Sequence, residues 1–221
     1  MNAVTTDAET QLPQDTQPDH YDFEKYVTRS RWASYWHQVR DTLNVQPESV
    51  LVIGTGDGIV PAVLRSHGID VCTFDCDSNL SPDFVGDVRH INAVLIGRRF
   101  DVVVCCQVLE HIVFDDFENT IQELAKCANK RIVLSLPYRT TSICTFLVSF
   151  LKIRPPKLSF RVPHFWHKWK FNGQHHWEVG TKGFSKRQIA NILSRHATPT
   201  ATYLAKDNEY HLFFILKPHC S

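Results

Sequence analysis

Apolar positions along this chain follow two different periods, and the period in force at each point predicts the element there. From residue 21 to 43, Tyr26, Trp32, Tyr35, Trp36, Val39 and Leu43 recur at helical spacing, which predicts one or two amphipathic helices. Short apolar runs then alternate with helical stretches. Residues 49–53 read as a buried strand that enters a glycine-rich turn, and 59–67 as a helix closed by Gly68. A second strand spans 71–74 and ends in Asp75, a weaker third spans 84–88, and a very apolar fourth spans 100–106. The helix at 117–128 carries Phe117, Ile121, Leu124 and Cys127 on one face, and the fifth strand, 131–136, is stopped by Pro137. Strands that are apolar on both faces, separated by helices, predict a parallel sheet covered on both sides.

The alternation breaks after Tyr138. Residues 143–153 read as a helix ended by Pro155-Pro156, and a basic, aromatic segment runs on to Trp177. A helix at 186–196, capped by Ser185, precedes strands at 200–205 and 211–217 around a turn at Asp207-Asn208. Together the elements predict an α/β fold with a doubly wound, mostly parallel seven-stranded sheet, its C-terminal strand inserted antiparallel. One domain is expected over 19–221, interrupted by an insertion at about 139–180 and preceded by a disordered acidic tail at 1–18, where no apolar period is present.

Charge and cysteine content narrow the class. The formal net charge is +1, so the chain as a whole has no electrostatic footprint for nucleic acid. Between Glu123 and Glu178 there is no acid at all but ten Lys or Arg, so a nucleic acid or membrane surface remains a possible but unfavoured partner for that stretch. Its most apolar part, 143–151, is far short of the ~20 residues a spanning helix needs. Seven cysteines, an odd number, with Cys105 and Cys106 adjacent in an apolar run, indicate free thiols in a reducing compartment, and a cytoplasmic location is expected.

The chemistry is concentrated where the first strand meets its turn. Residues 50–58 read Val-Leu-Val-Ile-Gly-Thr-Gly-Asp-Gly, with glycines at every second position, so backbone can pass close to a ligand. A plain tight turn is the competing explanation. Asp75 follows Gly54 by about 20 positions, the place from which a carboxylate accepts hydrogen bonds from ribose hydroxyls. Asp77 competes for that role; one of the two is expected to cap the following turn. The dinucleotide fingerprint needs a third glycine where Ile59 stands, and Asp57 would face a pyrophosphate. A nicotinamide oxidoreductase is therefore disfavoured, and a cationic, phosphate-free cofactor such as S-adenosylmethionine (SAM) suits the loop better.

Residues 50–58, Thr73-Phe74-Asp75, Gly86-Asp87-Val88 and 100–112 (FDVVVCCQVLEHI) resemble the class I SAM-dependent methyltransferases, in particular the small bacterial-type members of the methyltransferase-domain group. The resemblance covers roughly 25–217 and implies a Rossmann-like methyltransferase fold. It implies that Gly54, Thr55, Gly56 and Gly58 lie against the methionine part of SAM, Asp75 at the ribose, Asp87 and Val88 at the adenine, and Cys106 and Gln107 along cofactor and substrate. One departure is that Val52 stands where relatives usually carry an acid two positions before the first glycine. The expected activity is transfer of a methyl group from SAM to a small-molecule or biosynthetic-intermediate acceptor at O or N; the alternative is a degenerate domain that binds SAM or a partner without turnover.

On the acceptor side the expectation is a lid over 139–180, with His176 and Glu178 as a His–Glu pair facing the methyl group and His111 as a further catalytic candidate; packing of these histidines in the loop is the competing reading. His164, His167, His175 and His176 match no standard zinc spacing, and no metal is expected.

Overall fold

The computed structural model describes residues 21–142 and 161–219, so the expected tail at 1–18 and helix at 143–153 lie outside the described residues. Two helices open it, α1 (Phe23–Tyr26) and α2 (Arg29–Leu43). Then follow β1 (Ser49–Ile53), α3 (Ile59–Ser66), β2 (Asp70–Asp75), β3 (Phe84–Val85), α4 (Ile91–Leu95), β4 (Phe100–Cys106), α5 (Phe114–Cys127) and β5 (Ala128–Pro137). A two-stranded antiparallel ribbon, β6 (Thr140–Ser142) with β7 (Arg161–Pro163), precedes α6 (Lys186–His196), β8 (Ala197–Ala205) and β9 (Asn208–Pro218).

The main sheet has seven strands in the order β3-β2-β1-β4-β5-β9-β8. The first five are parallel, and β9 lies between β5 and β8, antiparallel to both, as the sequence predicts. Because β1 is followed on one side by β2 and on the other by β4, the sheet switches direction between β1 and β4. In such sheets the crevice outside the carboxyl ends is where ligands bind. Ile53 is level with Phe74 and Cys105, so those ends emerge together.

Alternation within each strand divides the core. Leu51 and Ile53 join Val103, Phe117, Ile121, Leu124 and Leu193 on the face covered by α5 and α6. Val50 and Val52 join Val60, Leu64, Val104 and Phe213 on the face covered by α2 and α3. Burial on both faces is why these strands read as continuous apolar runs. Val52 is 3 % exposed, so the position where relatives carry an acid is here a core position.

Two predicted elements differ from the structure. The third strand is only Phe84–Val85, because the Asp87 side chain accepts from the Arg89 backbone N–H at 2.9 Å and starts a 3-10 turn at Val88–His90. Helix α2 buries Ser34, His37, Gln38, Asp41 and Thr42, while Trp32 and Trp36 are more than half exposed. A polar contact set decides that rotation. Asp41 receives the Arg40 guanidinium at 2.9 and 3.0 Å and the Tyr203 hydroxyl, and its carbonyl accepts from Arg131 at 2.7 Å. Trp36 is meanwhile covered by Arg40, 4.8 Å from its ring.

His211 gives the fold a pH dependence. Burial, with a smaller contribution from Arg31, pushes its imidazole down from near 6.5 to about 3. Below pH 6.5 the unfolded chain takes up a proton there that the folded chain refuses, so stability falls as pH drops, by up to about 1.4 kcal/mol per pH unit. In urea melts between pH 7 and 4, His211→Gln is expected to lose stability with acid less steeply than the parent. Parallel curves would remove His211 as a source of acid sensitivity.

Candidate active site

The glycine-rich loop leaves β1 with positive φ at Gly54 (+80°), Gly56 (+53°) and Gly58 (+74°). Asp75, at the end of β2, closes it from the side: one carboxylate oxygen accepts the Thr55 N–H at 2.7 Å and the other the Asp77 N–H at 3.0 Å. Each oxygen keeps acceptor capacity for a ligand hydroxyl. Asp77 is the capping residue of the pair, accepting the Asn79 N–H at 2.9 Å to start the turn at Ser78–Leu80. Tyr35 of α2 donates its hydroxyl to Asp57 at 2.6 Å and ties the far side of the loop to the helical layer.

These ends enclose a cleft of about 250 Å³ whose walls include Gly54, Asp75, Asp87, Val88, Gln107, His111 and His176. It thus brings together residues that the sequence places up to 122 positions apart. Thr55, Gly56 and Gly58 shape the loop without lining the cleft. Cys106 departs further from its expected place: its thiol points to the Val133 carbonyl at 3.7 Å and packs on the face of Val102 and Val104, away from the cleft. The strand alternation that buries Cys105 on the α5 face sends Cys106 to the opposite one.

Gln107 occupies a left-handed conformation, φ +58°, unusual for a residue with a side chain. It is held there by its N–H to the Ser135 carbonyl at 3.0 Å and its side-chain amide to the Ser135 hydroxyl at 3.1 Å. Asp87 is clasped by Arg89, which binds both its oxygens and also reaches Asp116 at 3.1 Å. Burial alone would raise the Asp87 carboxyl, but the Arg89 hydrogen bonds outweigh it and hold it below the usual carboxylate range. Arg89 lines the cleft too, as do Tyr21, Phe74, Leu80 and Val108, none of which the sequence assigns to the site. Only Arg89, two residues past the expected adenine-side acid, carried a usable signal.

The acceptor side is rearranged relative to expectation. Asn172 accepts the N–H groups of Gln174 and His175 through its side-chain oxygen, at 3.0 and 2.7 Å, and this turn points His175 inward. His176 stays at the cleft, stacked on Phe171 with ring centroids 4.5 Å apart, its N–H on the Glu110 carbonyl at 2.8 Å. Residues 177–179 then run beside the carboxyl end of β5, where the Val179 N–H donates to the Pro137 carbonyl at 3.0 Å. Glu178 is therefore buried below the surface. It accepts from His175 Nδ1 at 3.0 Å and from the Tyr210 hydroxyl, with Arg139 at 3.6 Å. The imidazole that Glu178 orients is His175, not His176, and the expected His176–Glu178 pair is not formed.

Above this lies Glu110, fully buried, with neither carboxylate oxygen hydrogen-bonded among the described residues. Burial pushes its carboxyl up to about 7 against the opposing effect of His175. Burial would lower His175, but its bond to Glu178 and the charges of Glu110 and Glu178 raise it overall. His111, on the cleft wall, places its Nδ1 3.1 Å from the Gln174 carbonyl.

A family model described as a methyltransferase domain matches residues 23–196. The chain belongs to the methyltransferase-domain family. No curated protein sequence matches it significantly. Among solved structures, the chain of this family member is similar to the Burkholderia thailandensis 1,6-didemethyltoxoflavin-N1-methyltransferase bound to 1,6-didemethyltoxoflavin and S-adenosylhomocysteine (SAH). The TM-score is 0.60 at 16 % identity, over 91 % of this chain and 83 % of that one. The N-methyltransferase NodS of Bradyrhizobium japonicum WM9, in complex with SAH, gives 0.56 at 11 % identity over 92 % and 93 %. The magnesium protoporphyrin IX methyltransferase of Synechocystis PCC 6803 with bound SAM gives 0.53 at 16 % identity over 95 % and 88 %. At these identities the likeness is one of fold. It is the Rossmann-like methyltransferase fold that the sequence motifs imply, and the chain is a methyltransferase by family. No helix among the described residues is long and apolar enough to cross a membrane.

Proposed function

We propose that this methyltransferase takes SAM as donor and methylates a hydroxyl or amine of a small-molecule acceptor. The observation that carries this reading is the cleft at the switch point, where Gly54, Asp75, Asp87, Val88 and Gln107 converge beside His111 and His176. Asp75 accepts the ribose hydroxyls and Asp87, clasped by Arg89, faces the adenine end. Gly54 and Gln107 bring backbone against the methionine end, with Thr55, Gly56 and Gly58 shaping the loop. The SAH- and SAM-bound proteins of the same fold support that donor, and the small molecule bound by the toxoflavin enzyme supports the acceptor class.

The segment after β7 supports an acceptor-side role. Phe165, Trp166 and Phe171 are all more than half exposed there, which gives stacking surface for an apolar or planar acceptor. The sulfonium is already a good leaving group, so the protein's main contribution is in-line positioning of the acceptor atom. His176 is the group that takes a proton from a hydroxyl acceptor, His111 orients the acceptor from the cleft wall, and Glu178 contributes by positioning His175.

Calorimetry with SAM, followed by assay of SAH release with hydroxyl- and amine-bearing acceptors, tests the reading. Asp75→Ala is expected to weaken SAM binding about 10- to 100-fold, from the loss of charge-assisted hydrogen bonds and of the Thr55 tether. His176→Ala is expected to lower turnover while leaving SAM affinity and melting temperature nearly unchanged. Unaltered SAM affinity in Asp75→Ala would sink the ribose assignment. SAM binding without SAH release for any acceptor would favour the non-catalytic reading, for which Val52 in place of the usual acid is the observation.

A further inference from the structure

The sequence offers four clustered histidines, His164, His167, His175 and His176, without a metal-binding pattern. The fold selects one of them, His175, and sets it against two residues of the 3-10 turn Leu109–His111 that follows β4, Glu110 and His111. One ligand atom from each of the three lies within 4.8 Å of the other two. The rings of His111 and His175 meet edge to face, with centroids 5.1 Å apart.

Hydrogen bonds orient the two histidines, and the carboxylate has none among the described residues. A backbone carbonyl only accepts, so against Gln174 the His111 Nδ1 must carry the proton, and Nε2 carries the lone pair. His175 Nδ1 likewise donates to Glu178, which leaves its lone pair on Nε2. An imidazole whose second nitrogen donates to a carbonyl or carboxylate is the usual outer-shell arrangement of a metal-bound histidine. Glu110 supplies the independent sign: a fully buried carboxylate with both oxygens unpartnered among the described residues. Such a group either keeps its proton or, when ionised, costs several kcal/mol of desolvation until a cation compensates. The Arg139 guanidinium is directed to Glu178, at 3.6 Å.

We propose that Glu110, His111 and His175 form a binding site for one divalent transition-metal ion of the zinc type, with its remaining coordination position open to the cleft. Two imidazoles and one carboxylate suit zinc and its first-row neighbours rather than magnesium or calcium. Ligand atoms about 2.1 Å from a shared tetrahedral ion stand roughly 3.4 Å apart, so capture draws the three together by about 1.4 Å at most. His111 lines the cleft, so the open position faces the same space as the proposed donor. The acceptor class this favours is one with an oxygen that can bind the ion, whose acidity the ion raises. That last consequence rests on the methyltransferase reading above; the binding of the ion does not.

The test is titration of the purified full chain with Zn2+ by calorimetry and with Co2+ by visible absorption, without SAM. The expected result is one equivalent of either ion, with Co2+ bands of a low-coordinate N/O site. His175→Ala and Glu110→Gln are each expected to lower affinity at least 100-fold, and Glu178→Gln, which leaves the ligands in place, about 10-fold. His111→Ala, at the cleft surface, reads the same loss should a buried variant fail to fold. The double variant His164→Ala/His167→Ala is expected to bind as the parent does. No binding by the parent would overturn the proposal, as would binding that survives the ligand substitutions or vanishes with His164 and His167, the signs of an adventitious ion only. Zinc binding by a chain that ignores SAM would refute the proposed donor and leave this site standing.

Discussion

Gly54→Val is expected to weaken SAH binding by at least 100-fold, read by calorimetry on the folded variant. Two effects combine. Gly54 sits at φ +80°, a conformation that costs an L-residue roughly 1–2 kcal/mol and a β-branched one more. A Cβ there would also stand 2.6 Å from the Val108 Cγ2, inside contact distance, and Val108 is part of the cleft wall. The side chain and the ligand then compete for the same space. Gly58→Ala separates the two effects: its φ is +74°, but nothing lies within 4 Å of the added carbon. That variant is expected to lose stability without a comparable loss of SAH affinity. Gly54→Ala should recover part of its affinity when Val108→Ala is added. Equal affinity losses at Gly54 and Gly58 would mean that loop strain, not crowding of the cleft, is what binding senses.

The second large effect is on stability. Trp177→Ala is expected to cost about 3–5 kcal/mol, the usual loss for removing a large buried aromatic. Trp177 is fully buried, meets Phe114 and Phe117 edge to face at 5.1 and 5.0 Å, and donates its indole N–H to the Ile112 carbonyl at 3.1 Å. At roughly 2–4 °C per kcal/mol for a chain of this size, the melting temperature should fall by about 6–20 °C. Trp166→Ala, eleven residues earlier and 61 % exposed, should shift it little. Melting both variants by circular dichroism decides the point. A Trp177→Ala variant that melts with the parent would mean that the segment after β7 is not anchored in the core where the structure puts it.

That anchoring explains why the acceptor side was harder to read than the donor side. Gly54, Asp75 and Asp87 are near their elements' ends, and the elements themselves are periodic, so position along the chain already says which end of the sheet each one reaches. Residues 161–180 have no such period. Whether Trp177 stacks on a ligand or fills the core, and whether Glu178 serves His175 or His176, depends on one turn held by the Asn172 side chain and on the backbone pairing of Val179 with Pro137. Helix α2 shows the same limit on a smaller scale. Its period was legible, but its rotation was decided by Asp41, Arg40, Tyr203 and Arg131, which come from three elements far apart in the chain.

The sequence by itself determined the architecture: five apolar runs with helices between them, a returning hairpin, and a glycine-rich turn with an acid at the end of the next strand. Short-range periodicity carries that information because burial on both faces of a parallel sheet leaves each strand little choice. Only the tertiary structure decided which side chains meet. Cys106 turned to the far face of the sheet by strand alternation, and His175 turned inward to Glu178 while His176 stayed at the cleft. The meeting of Glu110 and His111 with His175 is of the same kind. Those contacts join segments that share no period, and their geometry comes from packing rather than from any local preference of the chain.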